Sequence, residues 1–109
     1  MIIASGYYAP GLGYDKVRDA MLVVVYKPVD TDGDGIYDDG QLWRIRGTPN
    51  NSGGYTWSAP ALAISTGVRY LPPALEIQDD KAWRMIYTTR AGAIATKVSK
   101  DDGDTWGDA

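Results

Sequence analysis

The sequence predicts an all-β fold built from two consecutive four-stranded antiparallel units. Three observations carry that expectation. No stretch shows helical periodicity. Glycine (13) and proline (6) recur at short intervals and cut the chain into short runs that either alternate or are apolar throughout, as strands do. And the chain repeats itself. Tyr7 to Asp15 lines up with Tyr70 to Gln78, with Tyr7/Tyr70, Pro10/Pro73 and Leu12/Leu75 all 63 residues apart. Val24-Val25-Tyr26 matches Met85-Ile86-Tyr87 at a spacing of 61, and Gly54-Tyr55-Thr56-Trp57 matches Gly103-Asp104-Thr105-Trp106 at 49. The spacing drops by 12 because the first unit carries an extra acidic loop.

Each element then follows in order. Tyr7 to Asp15 and its counterpart open each unit, preceded by the loosely matching Ala4-Ser5-Gly6 and Ser65-Thr66-Gly67. Ala20 to Tyr26 is apolar on both faces and rich in β-branched residues, the mark of a strand buried on both sides. Gln41 to Arg46 alternates, with Trp43 and Ile45 on one face and Leu42, Arg44 and Arg46 on the other. In the second unit Trp83, Met85 and Tyr87 alternate with Arg84, Ile86 and Thr88, and Ile94, Thr96 and Val98 with Ala95, Lys97 and Ser99. A Gly-x-Thr-Trp turn then leads into a fourth strand. The total is about eight short strands. Four antiparallel strands per unit is the plan of a β-propeller blade. The reading divides the chain into blade 1, residues 1–63 with an insert at 30–41, and blade 2, residues 64–109, whose fourth strand is completed by another chain or by the N-terminus.

Composition removes several functions. A net charge of −3 argues against tracking nucleic-acid phosphates. With neither cysteine nor histidine, the chain has no disulfide framework, no thiolate or imidazole metal site and no Ser-His-Asp or Cys-His catalysis. The longest apolar run, Ala20 to Tyr26, is too short to span a bilayer. The start, Met1-Ile2-Ile3-Ala4, lacks the basic and apolar regions of a signal peptide. The expectation is a chain that is not secreted or is a mature piece of something longer. Four Trp and eight Tyr without Phe give rings with a polar handle, suited to half-buried strand faces and to sugar faces.

Ser99-Lys100-Asp101-Asp102-Gly103-Asp104-Thr105-Trp106 reads S-x-D-x-G-x-T-W at every fixed position. The earlier Asn50-Asn51-Ser52-Gly53-Gly54-Tyr55-Thr56-Trp57 keeps Gly54, Thr56 and Trp57 with Asn for Ser and Ser for Asp. The pattern resembles the Asp-box, or BNR repeat, of sialidases and related β-propellers. Locally, a short Ser or Asp side chain bonds backbone amides inside the turn, glycine supplies positive φ, and the Trp fills the space between strands. In that family the motif lies on the outer rim, so it implies fold and leaves chemistry open. The enzymes of the family use three arginines to clamp a carboxylate, a Tyr nucleophile with a Glu partner, and an Asp acid/base. Val68-Arg69-Tyr70-Leu71-Pro72 is similar to the arginine placement, with an extra residue between Arg69 and Pro72, and Glu76 and Asp79 are the nearest acids.

Asp30-Thr31-Asp32-Gly33-Asp34-Gly35-Ile36-Tyr37-Asp38 is D-x-D-x-D-G-x-x-D. Such a loop wraps oxygen ligands around a hard cation. The expected ligands are Asp30, Asp32, Asp34, the Ile36 carbonyl and Asp38, holding Ca2+ in a structural role. Gln41 stands where an EF-hand has its bidentate Glu, and the flanks are strands. The loop resembles the calcium hairpins of some propellers.

Two blades cannot close a ring, and open sheet edges are liabilities. Met1 to Gly6 resembles Leu62 to Gly67, so the end of one copy followed by the start of another would rebuild the missing strand. The expectation is head-to-tail assembly of the chain with itself, three copies giving six blades; the alternative is a piece of a longer propeller. The functional expectations are a carbohydrate-directed binding module or plain scaffold, with a sialidase-type glycoside hydrolase as the enzymatic alternative. A module of phage or cell-surface assembly is a further reading, and an extracellular, cell-surface or virion-surface setting goes with it.

Overall fold

The structure, a computed structural model, describes residues 6–15, 19–77, 82–101 and 103–108. The described residues are all-β, with antiparallel pairing throughout and no helix among them. Sheet I holds β1 (Tyr8–Asp15), β2 (Ala20–Val29), β3 (Asp39–Pro49) and β4 (Tyr55–Trp57) in that order, with β5 (Ala61–Ile64) also on β3. Sheet II is β6 (Ala74–Ile77), β7 (Trp83–Thr88), β8 (Ile94–Ser99) and β9 (Gly107–Asp108).

β4 and β5 share one edge of β3. β4 lies opposite Gly47–Pro49 and β5 opposite Leu42–Arg44. Between them Ser58 keeps the ladder going: its N–H donates to the Arg46 carbonyl (2.8 Å) and its Oγ accepts the Arg46 N–H (2.9 Å). The two strands act as one fourth strand, bent at Ser58–Pro60, where proline lacks the N–H that a ladder needs.

The expected alternation appears as burial in β7 but not in β8, where Ile94 is exposed, residues 95–98 are half-buried and only Ser99 is buried. Leu22 to Tyr26 is buried along its length. Trp83, Met85 and Tyr87 are buried while their neighbours are half-exposed. The main core lies between the sheets: Val24, Tyr26 and Leu42 of sheet I meet Met85 and Tyr87 of sheet II, with Val68 of the connector. A second cluster, Val23, Val25 and Ile45, lies on the other face of sheet I beneath Tyr7, Trp43 and Trp57.

Close approach of the sheets depends on two glycines of β1. A Cβ at Gly13 would lie 2.5 Å from the Trp83 ring and 3.1 Å from the Leu75 Cβ, and one at Gly11 would strike the Pro73 carbonyl. At one end the connector ties both sheets. Val68 N–H donates to the Gly40 carbonyl (3.3 Å), and Val68 bridges to Thr89. At the other end Arg44 and Arg46 of β3 both reach the Asp104 carboxylate, at 2.7 and 2.8 Å.

Strand pairing moves one sequence match by a residue. Gly11 pairs Val24, whereas Ala74, 63 residues after Gly11, pairs Ile86, 62 after Val24. Ile86, not Met85, is the counterpart of Val24, because the first hairpin needs one residue more to connect the same positions. A one-residue shift exchanges the faces of a strand. The buried face of sheet II, with Leu75 and Met85, thus corresponds to the face of sheet I with Leu12 and Val23. Sheet I buries its other face, that of Gly11, Gly13, Leu22 and Val24. The two sheets stack front to back, like successive cards, and not as mirror halves.

Candidate metal centre and structural turns

The aspartate loop joins β2 to β3. Its base is closed by Asp38 N–H donating to the Val29 carbonyl (3.0 Å). Asp30 turns the chain back on itself: Oδ1 accepts Gly33 N–H (2.9 Å) and Oδ2 accepts Gly35 N–H (2.8 Å). Gly33 and Gly35 have φ of 74° and 85°, which suits residues without Cβ. Asp38 accepts the Thr31 N–H (2.9 Å) and hydroxyl (2.6 Å). These bonds favour the ionised acids. The Gly35 amide leads in lowering the pKa of Asp30, and the Thr31 hydroxyl that of Asp38.

Carboxylate oxygens of Asp30, Asp32 and Asp38 lie within 4.8 Å of one another. Three hard anionic donors on one loop could hold a metal ion, and each oxygen has lone pairs beyond those used by the amides. Asp34 is not in that trio; its Oδ1 accepts the Ile36 N–H (2.8 Å).

Asp39, next in the same acidic run, does something the sequence did not signal. Oδ1 accepts the N–H of Gly40 (2.8 Å) and Gly67 (2.7 Å), and Oδ2 accepts the Thr66 hydroxyl. Burial acts to raise its pKa, but Thr66 and the two amides outweigh it and hold the acid below its ordinary value. Asp39 anchors the connector between the sheets.

The turn before β9 is held by its own side chains. Ser99 Oγ accepts Gly103 N–H (2.8 Å) and donates to Asp101 Oδ1 (2.7 Å). Asp101 also accepts the Thr105 N–H (2.8 Å) and hydroxyl. Trp106 Nε1–H donates to the Gly103 carbonyl (3.1 Å). The Thr105 hydroxyl, then its amide, then Ser99 bring Asp101 down to about 2. In the earlier turn Asn50 replaces the serine: Oδ1 accepts Ser52 N–H (2.9 Å) and Gly54 N–H (3.3 Å), and Nδ2 reaches the Thr56 hydroxyl (3.4 Å). Positive φ falls on Gly53 (82°) there, one residue before the expected Gly54, and on Gly103 (89°) in the later turn. Trp57 lies over Gly47, where a Cβ would come within 2.8 Å of its ring.

Arg69 is exposed, and its guanidinium donates to the Arg90 carbonyl (3.0 Å). Tyr8 and Tyr26 flank Tyr70 there, at ring distances of 5.8 and 5.0 Å. Glu76 pairs with Arg84 at 3.4 Å; Asp79 lies outside the described residues. A further group was not legible in the sequence. The hydroxyls of Tyr14 (2.8 Å) and Tyr55 (2.6 Å) both donate to Asp19 Oδ1, and that bond pushes Tyr55 up to about 12. Residues from β1, a hairpin and β4 meet only through the fold.

No family model, curated protein or solved structure matches this chain.

Proposed function

We propose that the chain is a two-blade module of Asp-box propeller type that assembles with copies of itself and serves as a binding scaffold. The observation that carries this reading is the front-to-back stacking of two four-stranded sheets. Such stacking is heterologous: each unit presents a different face to its two neighbours, so addition can continue until rotation closes a ring. Three copies would supply six blades. The serine-aspartate-threonine turn before β9, with Asn50 in the corresponding place of sheet I, supports membership of the Asp-box class.

Calcium would be held by Asp30, Asp32 and Asp38, with Asp34 and the Ile36 carbonyl completing the oxygen set. Its contribution is structural: it removes the repulsion of crowded carboxylates and fixes the long β2–β3 hairpin. Exposed tyrosines, among them the adjacent Tyr8 and Tyr70, make the module suited to carbohydrate ligands.

Sedimentation of the full chain, with calcium and with a chelator, tests the reading. The expected result is a mass of three chains with calcium and a lower thermal midpoint after chelation. A single-chain mass accompanied by a native β spectrum defeats the assembly.

A further inference from the structure

We infer that copies join by docking the open face of sheet I in one chain onto the open face of sheet II in the next, so that Leu12 of one copy lies against Glu76 of its neighbour. This rests on the self-assembly reading above and specifies the surfaces that it uses.

The junction inside the chain is the template. There the Gly13 position of sheet I meets Leu75 and Trp83 of sheet II. Matched through the strand pairings, the open face of sheet II offers Glu76 in place of Gly13. The open face of sheet I offers Leu12 in place of Leu75 and Met21 in place of Trp83. Within the chain a large ring faces a glycine; between copies a methionine faces the stem of a glutamate. At this pair the volumes are exchanged, not added, as close packing demands. At the other close approach Ala74 stands in place of Gly11 against Pro10, so the copies lie farther apart there than the two sheets within the chain.

Both surfaces are open. Leu12 is 58% exposed and the Glu76 side chain 56%. An exposed leucine alone means little. This one shares its face with Tyr14 and Leu62, which are also exposed, and that face covers its own second core of Val23, Val25 and Ile45. The edge of sheet II agrees. In sheet I, β5 pairs with β3 along Leu42–Arg44. The matching stretch of β8, Ile94–Thr96, has no strand on that edge among the described residues, and Ile94 is 70% exposed. An open edge beside an open face is a place for another chain to add. A second copy is the occupant because both sheets repeat the strand order and pairing of the first junction.

The chain has no cysteine, so cross-linking tests the contact. The variants Leu12→Cys and Glu76→Cys change exposed positions and leave the fold to be checked by circular dichroism. In the intrachain template a Cβ added at Gly13 would lie 3.1 Å from the Leu75 Cβ, and a slightly wider junction between copies brings the pair into the roughly 3.5–4.5 Å range of a disulfide. Under mild oxidation an equimolar mixture is expected to form the mixed disulfide, with neither variant linking to itself and no link between Glu76→Cys and the loop variant Ile36→Cys. An oligomeric mass with no mixed disulfide, or with Leu12→Cys linking to itself, overturns this interface while leaving self-assembly standing. A single-chain mass removes both.

Discussion

Asp101 shows how much one side chain can organise. Its carboxylate receives the Thr105 amide and hydroxyl and the Ser99 hydroxyl, which fixes the turn into the last strand. Held at about 2 against an ordinary 3.8, it favours the folded state whenever it is ionised. That contribution is complete above pH about 4 and disappears as pH falls toward about 2, because the unfolded chain takes up the proton first. The variant Asp101→Asn should therefore be less stable near neutrality, by about 1 kcal/mol for an exposed hydrogen-bonded acid. The difference from wild type should shrink across that acid window. Urea midpoints measured for both proteins between pH 6 and pH 2 check this; parallel curves would refute the role.

Among the elements, the connector between the sheets depends on Asp39. Replacing it by alanine leaves the amides of Gly40 and Gly67 and the Thr66 hydroxyl without their acceptor, a cost of about 1–3 kcal/mol. Amide exchange should quicken at Gly67 and at Val68, whose N–H bonds the Gly40 carbonyl, and less in β8. Unchanged exchange at Gly67 would deny Asp39 that work. The strands were legible because burial follows side-chain period: Trp83, Met85 and Tyr87 announce a half-buried strand, and Ala20 to Tyr26 a fully buried one. The grouping of Asp30, Asp32 and Asp38 was legible because their spacing is local, whereas Asp34, expected with them, accepts the Ile36 amide and stands outside the trio. Asp39 was hidden inside that same acidic run, since its partners come from a segment 27 and 28 residues later. The Tyr14–Asp19–Tyr55 group was hidden for the same reason. Hairpin length decided the rest: one residue in the first hairpin changes which of Met85 and Ile86 corresponds to Val24, and with it the face that each sheet buries.

At the scale of the whole molecule, the question is whether two sheets make one cooperative unit. Their shared core draws Val24, Tyr26 and Leu42 from one and Met85 and Tyr87 from the other. Asp104, from the turn of sheet II, holds Arg44 and Arg46 of sheet I, whose side chains are only 14% and 24% exposed. Gly103 in the same turn packs on Leu22. Neither sheet keeps a covered inner face if the other leaves; sheet I would retain only its second cluster of Val23, Val25 and Ile45, so both lose apolar burial on separation. The chain should unfold in a single transition. Trp43 and Trp57 belong to sheet I, while Trp83 lies in sheet II and Trp106 in its last turn. With Trp43 and Trp57 replaced by phenylalanine, fluorescence reports on Trp83 and Trp106, the sheet II rings at the junction, and far-UV circular dichroism on both sheets. The two midpoints in urea should coincide; a fluorescence change displaced from the dichroism change would mean that the sheets are separate folding units, joined by a linker and not by their core.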